Sequence, residues 1–232
     1  MLNIPRKNVV RSMSKNTNFI ELKLFIFQLV SIFLAIIFIF FSISSAISKK
    51  ESEKKEYYDF VLLNRKEKDE HFKNDKDSPL TDELKKKFKG LKYFPPDMSF
   101  RFTAKLIPFL KKDTINMLTT KSDIRKMIRY GKFEFSFKNK VYSLTAYIPA
   151  KNLMNDYFFV PFTDNTNNKE TYSGGRYLDI EIKNDNNEYD LDFNFAYNPY
   201  CAYNPKYSCP IVPKENHLNI SVKAGEKIYK LK

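Results

Sequence analysis

Two histidines, two cysteines and five glycines are all that 232 residues hold of these types. Each scarcity excludes some chemistry. No Cys-x-x-Cys or His-x-x-x-His pair occurs, so there is no short-spaced ligand framework for a metal. No phosphate loop, nucleophile elbow or His-Glu-x-x-His helix is present, and no motif implies a cofactor. Arginines are few, and the lysines are spread along the whole chain. With no helix-turn-helix, zinc-finger or RNA-recognition pattern, nucleic acid is not an expected partner.

What is abundant is lysine, asparagine, isoleucine and phenylalanine. Forty Lys and Arg against 27 Asp and Glu give a formal net charge of +13. A lysine-rich solvated surface accounts for such a charge. Attraction to anionic lipid or to an acidic polymer is the functional alternative.

Residues 1–23 form a basic tail with Arg6, Lys7, Arg11, Lys15 and Lys23. Leu24 to Ile43 then reads LFIFQLVSIFLAIIFIFFSI, interrupted only by Gln28, Ser31 and Ser42. Twenty residues at about 1.5 Å each reach across a bilayer core. The length favours an uncleaved transmembrane anchor over residues 24–46. The small residues Ser44 and Ala46 also permit a long signal peptide cleaved after Ala46, which would leave a secreted or periplasmic domain. Five basic residues precede the run and Lys49, Lys50, Lys54 and Lys55 follow it. That asymmetry leans toward a cytoplasmic N-terminus and an exported C-terminal part.

Residues 47–97 read as a helical linker. Lys49 to Asn74 lacks proline and glycine and is rich in Glu and Lys, with Tyr57, Phe60, Val61 and Asn64 at helical spacing. Ser78-Pro79 predicts the N-cap and first residue of a second short helix, which Gly90 ends.

From Ser99 the apolar period becomes two. Phe100, Phe102, Ala104 and Leu106 share one parity, as do Phe133, Phe135 and Phe137. The same holds for Tyr142 to Ile148, Leu178 to Ile182, Leu191 to Phe195 and Leu218 to Val222. With Asp113–Thr119 and Asp156–Phe162, about eight strands emerge, with hairpin turns at Asn139 and Asn184–Asn187. No helix of crossover length separates them, which excludes a doubly wound α/β fold. The expected fold is mainly β: an antiparallel β-sandwich or barrel-like domain over 98–232, preceded by a transmembrane helix and one or two short α-helices.

The stretch YDLDFNFAYNPYCAYNPKYSCPIVPKEN, Tyr189 to Asn216, organises the rest. It holds both cysteines and four of the eleven prolines. Ala-Tyr-Asn-Pro occurs at 196–199 and again at 202–205. Each proline fixes its own φ and extends the asparagine before it. Two similar bends follow, in a stiff, tyrosine-rich loop. A second block, Pro161 to Asp179, is equally dense in polar and turn-forming residues.

These blocks carry a resemblance. Pro161-Phe162-Thr163-Asp164, Glu170-Thr171-Tyr172, Gly174-Gly175-Arg176-Tyr177, Asp192-Phe193-Asn194, Ala196 to Tyr203, Ser208-Cys209-Pro210, Glu215-Asn216 and Ala224 to Lys227 resemble the hallmark of domain of unknown function 1684, an uncharacterised bacterial family. Ser78-Pro79-Leu80 and Gly90 to Phe94 match as well. The similarity runs from about residue 57 to 227. One departure precedes Glu215-Asn216, where the family has more prolines than Ile211-Val212-Pro213-Lys214. The resemblance implies a domain boundary and names no activity.

Two pieces of chemistry stand out. Cys201 and Cys209 are separated by seven residues, and in an exported domain such a pair forms a disulfide as a rule. Free thiols and a metal site with His217 and Asp192 are the alternatives. Arg176 shares parity with Leu178 and Ile180, so it turns to the apolar face and needs a partner. Asp164, Glu170, Asp192 and Glu226 are available. The result is either an internal ion pair or an anion clamp approached past Gly174 and Gly175. Asn194, Tyr197, Asn198 and Tyr203 would complete a ligand pocket.

Three functions fit these residues. The favoured one is a tethered β-domain that binds a small polar or anionic ligand, or a partner, in the cell envelope. A hydrolase using Asp192 or Glu170 beside Arg176 is the enzymatic alternative. Pure envelope scaffolding is the third.

Overall fold

The computed structural model describes residues 6–151, 156–183 and 187–229. Helix α1 runs without a break from Arg6 to Asn74. The sequence separates a tail, an apolar span and a polar helix. The structure joins them, because no proline or glycine lies between Arg6 and Asn74 to interrupt the ladder. The chain divides into two units, residues 1–56 and 57–232.

From Arg6 on, the first unit is helix. It contains a stretch near the N-terminus long and apolar enough to cross a membrane, none of it buried within the protein. Two of its serine hydroxyls bond back to the helix. Ser31 donates to the Gln28 carbonyl at 2.8 Å and Ser42 to that of Phe38 at 2.9 Å. A hydroxyl that back-bonds its own helix carries little cost in lipid.

The second unit begins with the last turns of α1. Tyr57, Val61, Arg65 and Phe72 form the buried stripe. Asn64, on the expected stripe, is exposed, and so is Phe60. Arg65 takes the inward place because its guanidinium finds acceptors. It donates to the Phe94 carbonyl at 2.8 Å and lies 4.5 Å from the centre of the Tyr93 ring. The short helix α2 spans Asp82–Lys87, capped by Thr81 rather than Ser78. Ser78 instead donates to the Phe72 carbonyl and accepts from Leu80, closing the turn after α1.

Among the described residues eight strands follow: β1 (Arg101–Pro108), β2 (Thr114–Leu118), β3 (Ile124–Phe137), β4 (Lys140–Pro149), β5 (Tyr157–Asp164), β6 (Arg176–Glu181), β7 (Glu188–Asp192) and β8 (His217–Leu218). The order is β6-β5-β4-β3-β1-β7, with β2 added to β3 and β8 to β5. All pairings are antiparallel except β5 with β8. The end strands β6 and β7 approach each other, so the sheet is a nearly closed barrel. The expected mainly-β, barrel-like fold is the one observed.

Local chemistry explains the turns. Lys138 and Asn139 both take positive φ, the two-residue hairpin geometry that suits the strand twist. The turn expected at Asn184–Asn187 falls, at 184–186, outside the described residues. Two expected strands are shorter. The one through Leu191 stops at Asp192, whose carboxylate accepts the Asn194 amide and coils Phe193–Phe195 into a 3-10 turn. The one through Leu218 ends there, and Val222 enters the core from a loop.

The barrel interior is aliphatic and aromatic. Phe133, Phe135, Leu144, Phe158, Phe162, Leu191 and Phe193 are among its buried members. β4 and β5 bury neighbours on both faces, Ala146 beside Tyr147 and Phe158 beside Phe159. Continuous burial of this kind marks a strand covered on both sides. Outside the barrel wall, Met117, Met127, Tyr147, Phe159 and Tyr177 form a second cluster. The long loop after β7 packs onto it through Tyr197 and Val212.

A bulge between Arg129 and Gly131 bends β3 where β1 crosses it. A Cβ on Gly131 would lie 2.6 Å from the Ile107 carbonyl oxygen and 2.8 Å from Pro108 Cα. Both are backbone atoms that cannot step aside. Gly131→Ala is expected to cost about 1–3 kcal/mol, the usual range for overpacking. Urea unfolding of the variant measures it. A loss below about 0.5 kcal/mol would mean that the bulge yields.

Candidate functional site: an aromatic cleft

The sequence placed its candidate pocket around Arg176. The structure seals that residue. Arg176 is fully buried, and Nη2 donates to Asp164 Oδ2 at 2.8 Å and to the Val222 carbonyl at 2.9 Å. Nη1 donates to the carbonyls of Ala224 and Glu226. The guanidinium is thus turned inward, onto Asp164 and three backbone carbonyls. The glycine approach is closed as well. Gly175, at φ 90°, has the Phe162 carbonyl oxygen 2.6 Å and Val212 Cγ2 2.7 Å from where a Cβ would be, and Gly174 backs onto the Tyr172 ring. These glycines serve a tight turn and not an anion. The ion pair ties β6 to the end of β5, and the guanidinium's carbonyl bonds hold the 222–226 segment.

The other sequence candidates hold loops. Asp192 accepts the Tyr57 hydroxyl at 2.7 Å and two hydrogen bonds from Asn194. Burial holds its carboxyl above the ordinary value, against the lowering effect of those bonds. Asn194 exchanges two hydrogen bonds with the backbone of Asp97. Glu170 pairs with Lys223 at 3.2 Å. Asn198 donates to Glu226 through its amide and to the Lys227 carbonyl through its side chain. The Tyr203 hydroxyl also donates to Glu226. Neither Asp192 nor Glu170 shares a bond with Arg176 among the described residues, so the hydrolase arrangement is not assembled.

Glu226 is the centre of this network. It is 1% exposed, and its second oxygen meets Lys68 Nζ at 2.7 Å. Lys68 comes from α1 and lies 4.8 Å from the centre of the Tyr197 ring. One buried carboxylate therefore ties the helix to both ends of the Tyr197–Tyr203 loop.

Of the ligand-binding candidates, Tyr197 lines a cleft. A cleft of about 730 Å³ opens between the outer face of the barrel wall, the end of α1 and the loop from Tyr197 to Pro210. Tyr157, Phe159 and Tyr177 line it from β5 and β6. Tyr177 stands edge-on to Phe159, 4.8 Å between centres, and to Tyr197, 5.8 Å. Edge-to-face pairs of this kind fix ring orientation. Tyr177 and Tyr197 also exchange backbone hydrogen bonds at 2.8 and 3.0 Å. The Tyr177 hydroxyl reaches the Pro210 carbonyl and pins the far end of the loop. Tyr200 and Tyr207 form the opposite wall, 5.2 Å apart.

The charges are one-sided. Arg125, Lys126 and Lys151 line the cleft from the start of β3 and the end of β4, and Lys68 and His71 from α1. Asp179 is the one carboxylate among the lining residues. It accepts the Tyr197 hydroxyl at 2.7 Å. Asp179 is exposed along β6, so the cleft walls desolvate it only in part; that desolvation raises its carboxyl above the ordinary value, while Tyr197 and Lys68 pull the other way.

A raised carboxyl means that the folded protein holds this proton more tightly than the unfolded chain does. The stability it contributes is full below the unfolded pKa and is lost as pH rises through the folded value. Asp179→Asn keeps an acceptor for Tyr197 and removes that loss. The variant is expected to melt at or above the wild type near pH 7, with the difference shrinking toward about pH 3. A calorimetric scan at both pH values checks this. A drop of several degrees near pH 7 would show that the charged bond to Tyr197 outweighs desolvation.

Both cysteines flank the cleft, and Cys209 lines it. The structure holds them as free thiols, where the sequence favoured a disulfide. They remain neighbours: the Cys201 amide donates to Cys209 Sγ at 3.2 Å. That sulfur is occupied as an acceptor without a bridge. His217, the third member of the metal alternative, contacts Thr163 at 3.0 Å.

Most lining residues escaped the sequence reading. The signal was present in two places. Tyr157, Phe158, Phe159 and Val160 are apolar at every position, so β5 needed cover on both faces. Tyr177 sits on the parity assigned to solvent, an aromatic where a polar residue was due. The cations from β3 and β4 gave no signal, because lysine is common everywhere in this chain.

Comparison with curated proteins finds no match. Among solved structures, the chain is similar to the solution NMR structure of an uncharacterized protein from gene locus rrnAC0354 of Haloarcula marismortui. The two are 32% identical, the match covers 76% of this chain and 96% of that one, and the TM-score is 0.59. The barrel and its loops also match a family described as protein of unknown function over residues 86–227. That span takes in β1 to β8, the sealed Arg176 pair and both cysteines, and on it the chain belongs to the DUF1684 family.

Proposed function

We propose that this chain is a membrane-tethered binding module whose barrel lies outside the cytoplasm. Its aromatic cleft takes a small molecule with an apolar or planar body and an anionic group. The cleft is the observation that carries this reading. A volume of about 730 Å³ falls among small-molecule sites, which run from about 300 to 1,000 Å³. Tyrosine and phenylalanine faces supply apolar area, and tyrosine hydroxyls supply polar contacts at its edges. Arg125, Lys126 and Lys151 against Asp179 favour an anion. The exposed apolar stretch of α1 supports the tether, and the basic residues before it support the orientation.

The test uses full-length protein in detergent and three probes: an aromatic carboxylate, a fatty acid and glycerol phosphate. A ligand at about a hundred times its Kd adds about 2.7 kcal/mol of stability, which thermal melting detects. Tyr200 is 38% exposed at the cleft mouth, so Tyr200→Ala removes a wall with little effect on the fold. An amphiphilic anion is expected to raise the melting temperature of the wild type. Tyr200→Ala and Lys126→Glu are each expected to weaken that anion about tenfold, a loss of about 1.4 kcal/mol. If no probe shifts the wild type, or if both variants respond as it does, the reading fails. Carbonate washing of membranes tests the tether: the intact chain is expected to stay in the pellet.

A further inference from the structure

Cys201 lies in the 3-10 turn Tyr200–Ala202 and is half-buried, whereas Cys209 is 7% exposed. The Cys201 amide donates to Cys209 Sγ at 3.2 Å, and further bonds hold each segment. The Ala202 amide donates to the Pro199 carbonyl at 2.9 Å and closes the turn around Cys201. Cys209 donates its amide to Thr120 Oγ1 at 3.1 Å and accepts the Thr120 amide on its carbonyl at 2.9 Å. The next residue, Pro210, is held by a bridge to Thr119 and by the Tyr177 hydroxyl.

A disulfide stabilises mainly by constraining the unfolded chain. In the folded protein both segments keep their own hydrogen bonds with the sulfurs unjoined. The bond can therefore open and close without rebuilding the loop, as a reversible pair requires.

The two thiols are also unequal. The Cys201 thiol is pushed down to about 6, first by its hydrogen bond with Cys209, with the Tyr172 and Thr120 hydroxyls adding and burial opposing. The Tyr172 hydroxyl stands 3.9 Å from Cys201 Sγ. Cys209, the other member of that bond, is pushed up, and burial adds to the rise. Cys201 is also the more exposed residue of the two and so the more accessible to an incoming disulfide. Exchange chemistry needs this division between attacking and resolving thiols.

We infer that Cys201 and Cys209 form a thiol–disulfide exchange couple on the cleft wall, with Cys201 attacking, Cys209 resolving, and disulfides as the substrate class. In the first step the Cys201 thiolate attacks one sulfur of a disulfide R–S–S–R. A bond forms between Cys201 and that sulfur, the R–S–S–R bond breaks, and one RS⁻ leaves. In the second step Cys209 gives up its proton and attacks Cys201 Sγ. The Cys201–Cys209 bond forms and the second RS⁻ leaves. The protein dithiol loses two electrons and two protons, and the substrate disulfide gains them as two thiols.

Oxidised glutathione is the probe. Full-length protein in detergent is equilibrated over a series of reduced-to-oxidised glutathione ratios, quenched in acid and analysed by mass. The wild type is expected to pass from dithiol to intramolecular disulfide within that range. Cys209→Ser is expected to accumulate one glutathione adduct, mapped to Cys201, while Cys201→Ser stays unmodified. Should either variant fail to fold, brief alkylation of the wild type under native conditions replaces it. Cys201 is then expected to react at least about tenfold faster than Cys209, from its larger thiolate fraction. A bridge that stays closed at the most reducing ratio would be a structural staple, and the inference would fall. Thiols that stay open at the most oxidising ratio, an adduct on Cys209, or faster alkylation of Cys209 would each overturn it too.

Discussion

Replacing Arg176 by alanine in the full-length protein is expected to lower its unfolding free energy by about 3–5 kcal/mol, as when one partner of a buried ion pair is removed. The size follows from what stays behind. Asp164 is 3% exposed, and its Oδ2 takes the guanidinium at 2.8 Å. Without Arg176 that charge has no counterion in a site closed to water. The carbonyls of Val222, Ala224 and Glu226 lose donors in the same step. Arg176→Lys keeps the charge and loses the planar fork, so its cost falls between wild type and alanine.

The informative partner is the double variant Arg176→Met with Asp164→Asn. It removes both charges and fills much of the volume. Asparagine still offers an Oδ1 for the Thr166 amide, now held at 2.7 Å. Because buried pairs repay their desolvation poorly, this variant is expected to recover at least half of the single-variant loss. Urea unfolding of the three proteins in the same detergent decides the matter. A single-variant loss below about 1 kcal/mol would mean that water reaches Asp164.

Glu226→Ala is expected to cost about 3 kcal/mol or more, at about 1–3 kcal/mol for each buried group left unpaired. Three groups depend on this carboxylate: the Asn198 amide at 2.8 Å, the Tyr203 hydroxyl, and Lys68 Nζ at 2.7 Å. Burial, and then the neighbouring carboxylate, hold the Tyr203 hydroxyl well above its ordinary pKa, so this phenol remains a donor. Glu226→Gln keeps one acceptor oxygen for the amide and the phenol, and it loses the bond to Lys68, which would face its NH2. Its cost is expected to be less than half that of alanine.

The two variants also differ at the cleft. Lys68 lies against the Tyr197 ring because Glu226 holds it there. Both substitutions free that lysine, but only alanine releases the Asn198–Tyr203 backbone. Tyrosine ring resonances should therefore shift locally in Glu226→Gln and across the Tyr197–Tyr207 wall in Glu226→Ala. Equal shifts in the two would show that the ion pair alone shapes the wall.

Much of this protein is written in short-range pattern. The apolar run after Lys23 determined a helix fit for a membrane, because an all-apolar surface of that length has no place in a small soluble core. Period-two alternation placed six of the eight strands, since one face of each must be buried. The inward turn of Arg176 followed from the same parity, and so did its need for a carboxylate. The asparagine at the β3–β4 turn was legible because few residues tolerate positive φ.

Tertiary structure decided the rest. Parity turned Arg176 inward, but it could not say whether the site beyond was sealed. Asp164 and the 222–226 carbonyls, far apart in the chain, settle that together. The cleft is likewise assembled from α1, from β3 to β6 and from the loop after β7, none of which signals the others locally. The bend that ends β7 at Asp192 rests on a side chain capping its own backbone, which outweighs the alternation continuing through Phe195. Local pattern determines which face of a strand is buried; what covers that face depends on contacts between residues distant in sequence, and here those contacts made one face a closed core and the other a cleft.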